Sequence, residues 1–432
     1  MNLYAALAYL DQHTNLEATA GRAEGLSLER MTQLVHALGD PQLAFPVIHI
    51  TGTNGKGSVA RMCTELLRAS GLSVGTYTSP HLNDINERIA WDGEPISDED
   101  LGTAIGAVAS VESVAGVTPS YFEILTAAAF VHFANVAVDV AVVEVGMLGR
   151  FDATNVVDAT VAVLTNIGHD HTDGKGKWRR AIAEEKVGIV KPGSTFICGE
   201  PDPDLRDVFE NTEAAATWFR EEDFDCEQSM IALGGRAVSL RTPSGVEDEI
   251  FVPLHGEHQG DNAAVALAAV EAFFERRLDP EVVAEGFGAV KVPGRFEVVM
   301  REPTVILDAA HNLDGARACA LTLREEFTLS GSVIMVVGFL KGRDPADMLD
   351  ALGAVDAGLV VACTPDSPRA ITAPEVAGSA DAMGIAVESI SSVDDAVNRA
   401  LAVASVDDLV LITGSLYVVG PARAVVLKEL DE

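Results

Sequence analysis

The chain has 432 residues, a formal net charge of −35 and a hydrophobic content of 48%. This length exceeds what one ordinary core accommodates, so we expect two globular domains. The strong acidity argues against nucleic acid and anionic membrane surfaces as partners, because both carry negative charge themselves.

The cysteines and the N-terminus indicate the compartment. The five cysteines are scattered and form no Cys-x-x-Cys pair, which predicts reduced thiols and neither a disulfide framework nor a zinc site. The first ten residues lack the basic segment of a signal peptide, and no apolar run is long enough to span a bilayer. We therefore expect a soluble cytoplasmic protein, and we predict a monomer.

Near the N-terminus, segments 3–10 and 28–38 have the spacing of amphipathic helices and precede the first strand. That apolar strand, around residues 48–50, runs into a glycine-rich turn and then a helix predicted over 59–69. The turn consists of Gly52, Thr53, Asn54, Gly55, Lys56, Gly57 and Ser58.

This turn has the composition of a phosphate-binding loop. Its glycines let successive backbone N–H groups converge on an anion at the start of the helix. Lys56 would add a charge for the outer phosphates, and Ser58 a hydroxyl for a magnesium ion. Gly57 separates the lysine from the serine, unlike the usual motif. The alternative is a glycine-rich turn with a surface lysine.

Two further strands carry polar groups to the same sheet edge. Segment 72–78 predicts a strand that ends at Ser79, and helices are predicted near 98–114 and 119–135. Segment 138–145 is almost continuously apolar, which is typical of a strand buried on both faces. Glu144 interrupts it near its end. A buried carboxylate is stable only when it is paired, and a magnesium ion beside the phosphate loop is the partner that we favour. The alternative partner is a neighbouring basic residue.

The next predicted strand, 160–166, is followed by a histidine pair. We favour His171 as a second metal ligand, because it leaves the same sheet edge as Glu144. A His-x-His pair also suggests zinc, but nothing at a suitable spacing completes a tetrahedral set. The following helix carries Lys186, which would point toward the site or lie on the surface.

The second half indicates a smaller α/β domain. Segment 201–250 is polar and irregular, with short strands predicted near 235–240 and 249–254. Polar residues up to Asn262 then open an alanine-rich helix, where they cap the helix or reach a nucleotide. Proline and glycine at 291–295 indicate a hinge. Strands follow at 304–307, 332–337, 358–363 and 408–413. No G-x-G-x-x-G follows them, which argues against a nicotinamide cofactor.

The predicted fold class is therefore α/β. Residues 1–292 form a P-loop N-terminal (central) domain with a mostly parallel sheet, and residues 293–432 a smaller Rossmann-like C-terminal domain.

Several segments together resemble the folylpolyglutamate synthase / dihydrofolate synthase family of Mur-type ATP-dependent ligases. They extend from the Thr-Gly-Thr-Asn-Gly-Lys-Gly-Ser loop nearly to the C-terminus. The specific ones are Thr78-Ser79-Pro80-His81-Leu82, Asn86-Glu87-Arg88-Ile89, Tyr121-Phe122-Glu123, Asp152-Ala153-Thr154-Asn155, Glu185-Lys186, Pro293-Gly294-Arg295 and Gly414-Ser415-Leu416-Tyr417.

The resemblance implies ATP as cosubstrate, two Mg²⁺ ions and a glutamate ligase domain at the C-terminus. In the implied nucleotide site, the loop from Gly52 to Ser58 is joined by Asn262, Arg295, Asp308 and His311. One magnesium is implied at Ser79 and Glu144 and a second at His171 and Glu144, with Lys186 as a carbamylated lysine that supports it. The implied pterin-contacting residues are Tyr121, Phe122, Glu123, Arg150, Phe151 and Asp152.

The implied reaction converts an acceptor carboxylate into an acyl phosphate, which the amine of glutamate then attacks. The residues implied in catalysis are Lys56, Glu144, His171, Lys186 and Arg295, with Lys56, Arg295 and the metals offsetting charge in the transition state. Our leading interpretation is a bifunctional enzyme acting on dihydropteroate and on tetrahydrofolates. The alternatives are polyglutamate extension alone, another Mur-type acceptor, or a non-catalytic nucleotide switch, against which the missing N-K-x-D motif argues.

Four departures from the family pattern bear on the choice of folate. Met147 and Leu148 occupy a loop that is commonly richer in glycine, and His169 is an additional histidine. The segment Asp308-Ala309-Ala310-His311 has alanine where glycine is usual, and segment 173–177 is unlike the common aromatic version.

Overall fold

The computed structural model describes residues 1–15, 27–169, 176–328 and 330–431. Its helices are α1 (Leu3–Leu10), α2 (Glu29–Ala37), α3 (Lys56–Ala69), α4 (Asp98–Ala115), α5 (Tyr121–Val136), α6 (Trp178–Lys186), α7 (Arg206–Glu210), α8 (His258–Phe274), α9 (Pro280–Gly288), α10 (Leu313–Glu326), α11 (Pro345–Ala351), α12 (Ala373–Ala382), α13 (Val393–Val403) and α14 (Leu416–Asp431).

The strands fall into three sheets. In chain order they are β1 (Val47–Thr51), β2 (Val74–Tyr77), β3 (Ile89–Trp91), β4 (Glu94–Pro95), β5 (Val140–Glu144), β6 (Ala159–Leu164), β7 (Thr195–Cys198), β8 (Ala216–Phe219), β9 (Asp225–Ala232), β10 (Gly235–Thr242), β11 (Gly245–Val252), β12 (Glu297–Arg301), β13 (Thr304–Asp308), β14 (Val333–Val337), β15 (Leu359–Ala362), β16 (Val387–Ser389) and β17 (Leu409–Thr413).

Two compact units divide the chain. The first comprises Met1–Ala232, Ala237–Pro253 and Gln259–Val290. The second comprises Leu233–Arg236, Leu254–His258 and Lys291–Glu432. The main division therefore falls beside the proline–glycine segment at 291–295.

The first unit is built on an eight-stranded sheet in the order β4-β3-β2-β5-β1-β6-β7-β8. From β2 to β8 the neighbouring strands run parallel, whereas β3 and β4 pair antiparallel at one edge. Every residue of β1 and β5 is buried, as expected for central strands covered by helices on both faces. Their carboxyl ends are the sheet edge where α/β proteins bind ligands.

Helix α5 covers one face of this sheet, and all its residues from Glu123 to Phe133 are buried. It begins with a capping box, in which the Ser120 hydroxyl accepts from the Glu123 backbone N–H and the Glu123 carboxylate accepts from the Ser120 N–H at 2.6 Å. Its apolar residues join those of α1, α2 and α4 in one hydrophobic core cluster. An all-round apolar helix is stable only in such a buried position.

The segment 201–250 contains more regular structure than the sequence predicts. The two predicted strands are observed as β10 and β11, but β8 and β9 were not predicted. Strands β9, β10 and β11 form a three-stranded sheet of their own, in the order β11-β10-β9.

The second unit contains a six-stranded sheet in the order β12-β13-β17-β14-β15-β16. The five strands from β13 to β16 in this order run parallel, and β12 pairs antiparallel with β13. Strands β13, β14, β15 and β17 were predicted within one residue of their ends, while the short β16 and the edge strand β12 were not. The predicted α/β fold class, with two mostly parallel sheets, is confirmed. No helix among the described residues has the length and apolarity that crossing a membrane requires.

Candidate active site

Four adjacent strands, β2, β5, β1 and β6, end at one edge of the large sheet. Ser79 follows β2, Glu144 is the last residue of β5, and the phosphate loop (residues 52–58) leaves β1. Residues 165–168 follow β6. The parallel pairing therefore places the chemistry-bearing segments predicted from the sequence side by side.

Glycine is required at two positions of the phosphate loop. At Gly52 the backbone φ is +153°, and a Cβ would lie 1.8 Å from the Thr165 hydroxyl oxygen. At Gly55 the φ is +81°, and a Cβ would lie 2.4 Å from Oδ1 of Asn262. Both positions combine a backbone conformation that favours glycine with a close neighbour. The second contact also brings Asn262, a predicted nucleotide ligand, directly against the loop.

The loop backbone is held by the segment after β6. The Thr53 N–H donates to the Asn166 carbonyl at 3.0 Å, and the Asn54 N–H donates to the Asn166 side-chain oxygen at 3.0 Å. The Thr165 hydroxyl donates to the Asn54 carbonyl at 2.6 Å. These contacts fix the loop before the helix α3 begins at Lys56, so the N–H groups of its first turn remain directed toward an anion site.

Two lysines converge on one carbonyl of the phosphate loop. The Lys56 ammonium donates to the Gly52 oxygen at 3.1 Å and to the Thr53 oxygen at 3.2 Å. The Lys186 ammonium, at the end of α6, donates to the same Gly52 oxygen at 2.7 Å. Lys186 is buried rather than on the surface. A small pocket here is lined by Gly52, Thr53, Lys56, Gly146, Met147, Leu148, Ile182 and Lys186.

Glu144 faces the start of α3. It is buried, and its Oε2 accepts from the Ser79 N–H at 3.2 Å. The same oxygen lies 3.7 Å from where a Cβ of Gly57 would be, so a larger residue there would begin to fill the space beside the carboxylate. With the buried hydroxyl of Ser58, these groups supply the hard oxygen ligands that Mg²⁺ takes, and they fit such an ion.

Arg61, one turn beyond Ser58, was not predicted from the sequence as a site residue. Burial lowers the pKa of its guanidinium, an effect that the charges of Glu144, Glu65 and Glu87 partly offset. Arg61 remains a cation near Glu144. Its position three residues after Ser58 on the same helix is the sequence signal that could have indicated it.

Of the two histidines at positions 169 and 171, only His169 lies within the residues that the structure describes. His171 lies outside the described residues, so its predicted metal contact stays a prediction, and residues 173–175 of the departing segment lie outside them as well. The ring of His169 packs edge-on against Trp178, with centroids 5.1 Å apart. No group of three or more His, Cys, Asp or Glu side chains within the described ranges is arranged as a metal site.

The loop after Glu144, residues 146–155, contacts two helices. A Cβ on Gly146 would lie 2.5 Å from the ring tip of Phe122, so the Phe122 ring packs directly on the loop. Arg150 donates through its backbone N–H to the Glu185 carbonyl and through its guanidinium to the Glu184 carbonyl, both at 2.9 Å. Phe151 is 41% exposed. Phe122 and this loop are therefore neighbours, as a shared acceptor site would require.

Asp152 and Glu123, both predicted to bind substrate, are occupied by internal contacts. The buried Asp152 carboxylate accepts from the Met147 N–H at 2.8 Å and from the Thr154 N–H at 3.0 Å. Burial raises the pKa of the Asp152 carboxyl group. The hydrogen bonds act in the opposite direction, because they stabilise its charged form. Glu123 caps α5 and accepts from Arg30 at 3.3 Å. The structure gives both side chains a structural role, and their substrate contacts stay predictions.

Tyr121, another predicted substrate ligand, lies near a buried arginine. The guanidinium carbon of Arg88 is 5.8 Å from the centre of the Tyr121 ring. The same Arg88 donates to Nδ1 of His81 at 2.9 Å. Because arginine only donates, this nitrogen of His81 accepts and carries no proton. Arg88 lies in the Asn86-Glu87-Arg88-Ile89 segment, but no role at the site was predicted for it.

In the second unit, Arg295, Asp308 and His311 are gathered around the end of β13. The Asp308 carboxylate accepts from the Phe296 and Ala310 N–H groups, both at 2.9 Å. Burial raises its pKa, and the Arg295 charge acts in the opposite direction. Arg295 donates to the Ala309 carbonyl at 3.4 Å, and Nδ1 of His311 lies 3.1 Å from the same oxygen.

Comparison with known proteins agrees with this arrangement. The family model of the Mur ligase middle domain matches residues 50–270, and that of the Mur ligase glutamate ligase domain matches residues 294–416. A dihydrofolate synthase/folylpolyglutamate synthase of Mycobacterium tuberculosis H37Rv is 41% identical over 438 residues, covering 92% of this chain and 89% of that protein. The chain belongs to the dihydrofolate synthase/folylpolyglutamate synthase family of Mur-type ligases. The resemblance inferred from the motifs is thus confirmed.

Two solved structures of the family extend the likeness to three dimensions. Escherichia coli FolC in complex with DHPP and ADP matches with a TM-score of 0.87 and 30% identity, covering 100% of this chain and 99% of that one. A bifunctional folylpolyglutamate synthase/dihydrofolate synthase with Mn, AMPPNP and L-glutamate bound matches with a TM-score of 0.85 and 31% identity, covering 98% of each chain.

Proposed function

We propose that this chain is an ATP-dependent ligase that adds L-glutamate to dihydropteroate and to reduced folates through an acyl phosphate. The observation that carries the proposal is the phosphate loop with Lys56 at its base and the Glu144 carboxylate beside its first helical turn. Family members with ADP, an ATP analogue, glutamate and DHPP bound support the same set of small-molecule substrates.

Each proposed step uses groups whose positions favour it. The N–H groups of the phosphate loop bind the triphosphate, and the Lys56 ammonium neutralises charge on the transferring phosphate. The acceptor carboxylate attacks that phosphate and releases ADP. The glutamate amine then attacks the acyl phosphate carbonyl, losing a proton as the amide forms and inorganic phosphate leaves. Arg295, Asp308 and His311 are proposed to complete the nucleotide site, and Asn262 contacts the loop already.

We propose two Mg²⁺ ions, which would supply charge neutralisation for the phosphates. The first ion would be held by Ser58, Ser79 and Glu144, and the second by His171 and Glu144. Lys186 is proposed to react with CO₂, forming a carbamate as its ammonium group releases two protons, so that a cation becomes an anion. Its burial beside the phosphate loop supports this assignment, because an anion there would offset the charge of a second ion.

The acceptor is proposed to contact Tyr121, Phe122, Arg150 and Phe151, with Glu123 and Asp152 shaping the same region. We propose that residues 1–292 bind ATP and that residues 293–432 form the glutamate ligase domain. The match of the Mur ligase middle domain to residues 50–270 and of the glutamate ligase domain to residues 294–416 supports this proposal. We further propose that the protein acts as a monomer in the cytoplasm, where ATP is supplied. The sedimentation mass of the purified chain, with and without ATP, tests the monomer.

The test of function measures ADP release by the purified protein with ATP, magnesium, dihydropteroate and glutamate. Release should require both acceptor and glutamate, and hydroxylamine should trap the acyl phosphate when glutamate is omitted. Lys56→Ala should lower kcat by about 100- to 1000-fold, as for loss of one transition-state donor. Arg317→Ala, at an exposed surface position, is the control and should leave kcat unchanged.

The choice of acceptor separates the remaining alternatives. Activity with both dihydropteroate and tetrahydrofolate supports the bifunctional enzyme. Activity with tetrahydrofolate alone would leave only polyglutamate extension. ADP release that is independent of any acceptor and of glutamate would contradict a ligase and favour a nucleotide switch.

A further inference from the structure

A fully buried histidine lies in the strand that delivers the phosphate loop. His49 is the middle residue of β1, with Val143 of β5 and Ala162 of β6 as its register partners. Its side chain is 0% exposed. An apolar residue would pack there without penalty, whereas an imidazole in such a place requires a hydrogen-bond partner. None of the roles proposed above involves this residue.

The hydrogen bonds around His49 determine which atom donates. The Thr154 hydroxyl lies 2.5 Å from Oδ1 of Asp152, and a carboxylate can only accept, so this hydroxyl donates to Asp152. The Thr154 oxygen must then accept from Nε2–H of His49, 2.8 Å away. Nδ1 of His49 is buried without a hydrogen-bond partner among the described residues. The imidazole is thus neutral and acts as a single donor.

The chain of hydrogen bonds ends on the 146–155 loop. Oδ1 of Asp152 receives the Thr154 hydroxyl, while Oδ2 accepts from the Met147 N–H at 2.8 Å. A continuous path therefore runs from His49 through Thr154 and Asp152 to Met147. It fixes the backbone between Glu144, at the end of β5, and the residues proposed to contact the acceptor.

A second side chain on the same face of β1 holds the same loop. Thr51 follows His49 by two residues, so both side chains project from one face of the strand. The buried Thr51 hydroxyl donates to the Leu148 carbonyl at 2.5 Å. The two contacts reach different parts of the loop, Thr51 at Leu148 and His49 at Thr154. Strand β1 thereby positions the 146–155 loop as well as the phosphate loop.

We propose that His49 is a positioning residue for the acceptor, whose Nε2–H donor orders Thr154 and Asp152 and so sets the 146–155 loop next to the phosphate loop. This inference rests on the proposed ligase function, because it assigns the loop to the acceptor. What His49 contributes is a donor rather than volume. A replacement that keeps the donor should therefore preserve the loop, and one that keeps only the volume should not.

The kinetic test compares His49→Gln, whose amide nitrogen can replace Nε2–H, with His49→Leu, which fills similar space without a donor. His49→Leu should raise the KM for the acceptor about 10-fold, the size expected for one lost hydrogen bond, with the KM for ATP unchanged. His49→Gln should stay within about 3-fold of the wild type. Equal losses in the two variants, or a loss confined to kcat, would contradict the proposal.

Thr154→Val removes the partner hydroxyl while conserving shape, and it tests the path if the His49 variants fold poorly. It should reproduce the acceptor KM of His49→Leu. In the double variant His49→Leu/Thr154→Val, the two effects should not add, because both interrupt one path. Full additivity would show that the residues act independently and would overturn the proposal.

Hydrogen exchange gives a readout that does not depend on activity. In His49→Leu, amide exchange measured by mass spectrometry should accelerate in peptides covering 146–155, and His49→Gln should match the wild type. Peptides covering 52–58 should be unchanged in both. If the wild type shows no ligase activity, the proposed function fails, and the exchange data still decide whether His49 orders the loop. Unchanged exchange in His49→Leu would refute that role.

Discussion

The phosphate loop and the 146–155 loop leave adjacent strands of one sheet, but different contacts hold them. The phosphate loop relies on two glycines with positive φ and on backbone groups paired with Thr165 and Asn166. The 146–155 loop relies on the side chains of His49 and Thr51, which reach it from a neighbouring strand. Both loops therefore depend on residues about one hundred positions away, but the phosphate loop also requires the backbone conformation of its own glycines.

The largest expected effect comes from a substitution within the phosphate loop itself. Gly52→Ala would place a Cβ 1.8 Å from the Thr165 hydroxyl, which itself holds the Asn54 carbonyl. We expect kcat/KM for ATP to fall by at least about 100-fold, since the transition-state donors are displaced together. Steady-state kinetics with ATP as the varied substrate measures this loss.

Gly71→Ala is the matched control for Gly52→Ala. Gly71 follows helix α3 with a φ of +86°, but a Cβ there would meet no atom within 4 Å. It should lower stability by about 1 kcal/mol through backbone strain alone and leave ATP kinetics unchanged. Similar kinetic losses in both variants would show that strain, rather than the contact with Thr165, governs the phosphate loop.

The same difference between local and long-range contacts determines which parts of the fold and the site could be predicted from the sequence. Continuous apolar runs predicted β5, β13 and β17 closely, because burial on both faces leaves an unmistakable pattern. The glycines, Lys56 and Ser58 stand together in the chain, so the phosphate loop was predicted from one local segment. Edge strand β12 and the short β16 were missed, since neither shows a clear period.

The parts of the site that the sequence could not predict depend on tertiary contacts. His49 appears in the sequence as one polar residue in an apolar strand, and its partner Thr154 is 105 positions away. Asp152 was predicted to bind substrate from its motif, but its hydrogen bonds to Met147 and Thr154 are visible only in the fold. No spacing rule connects such residues before the strand order is known.

Acid should act next through the 146–155 loop, because that loop depends on a histidine donor, whereas the phosphate loop is held by lysine ammonium groups and backbone contacts. Burial, with the nearby charge of Lys191, lowers the pKa of His49 from 6.5 to about 3. Between these values the unfolded chain binds a proton that the folded chain does not, so stability falls as the pH decreases. The loss from this residue should be about 1.4 kcal/mol per pH unit below pH 6.

Urea unfolding of the wild type and His49→Gln between pH 7 and pH 5 measures this contribution. The stability of the wild type relative to His49→Gln should decrease as the pH falls, because the variant lacks the titrating group. Parallel curves for the wild type and His49→Gln would mean that His49 is not held neutral by the fold.

The smallest expected effect tests whether the 146–155 loop is also set by packing. Gly146→Ala would place a Cβ 2.5 Å from the tip of the Phe122 ring, which can move away because it is the end of a side chain. We expect the KM for the acceptor to rise about 10-fold or less, within the range of overpacking, with the KM for ATP unchanged. In a Phe122→Leu background the same substitution should have almost no further effect, because the opposing ring tip is gone. If Gly146→Ala raised the KM for ATP equally, the two loops would not be separate elements, since a packing change in one would have displaced the other.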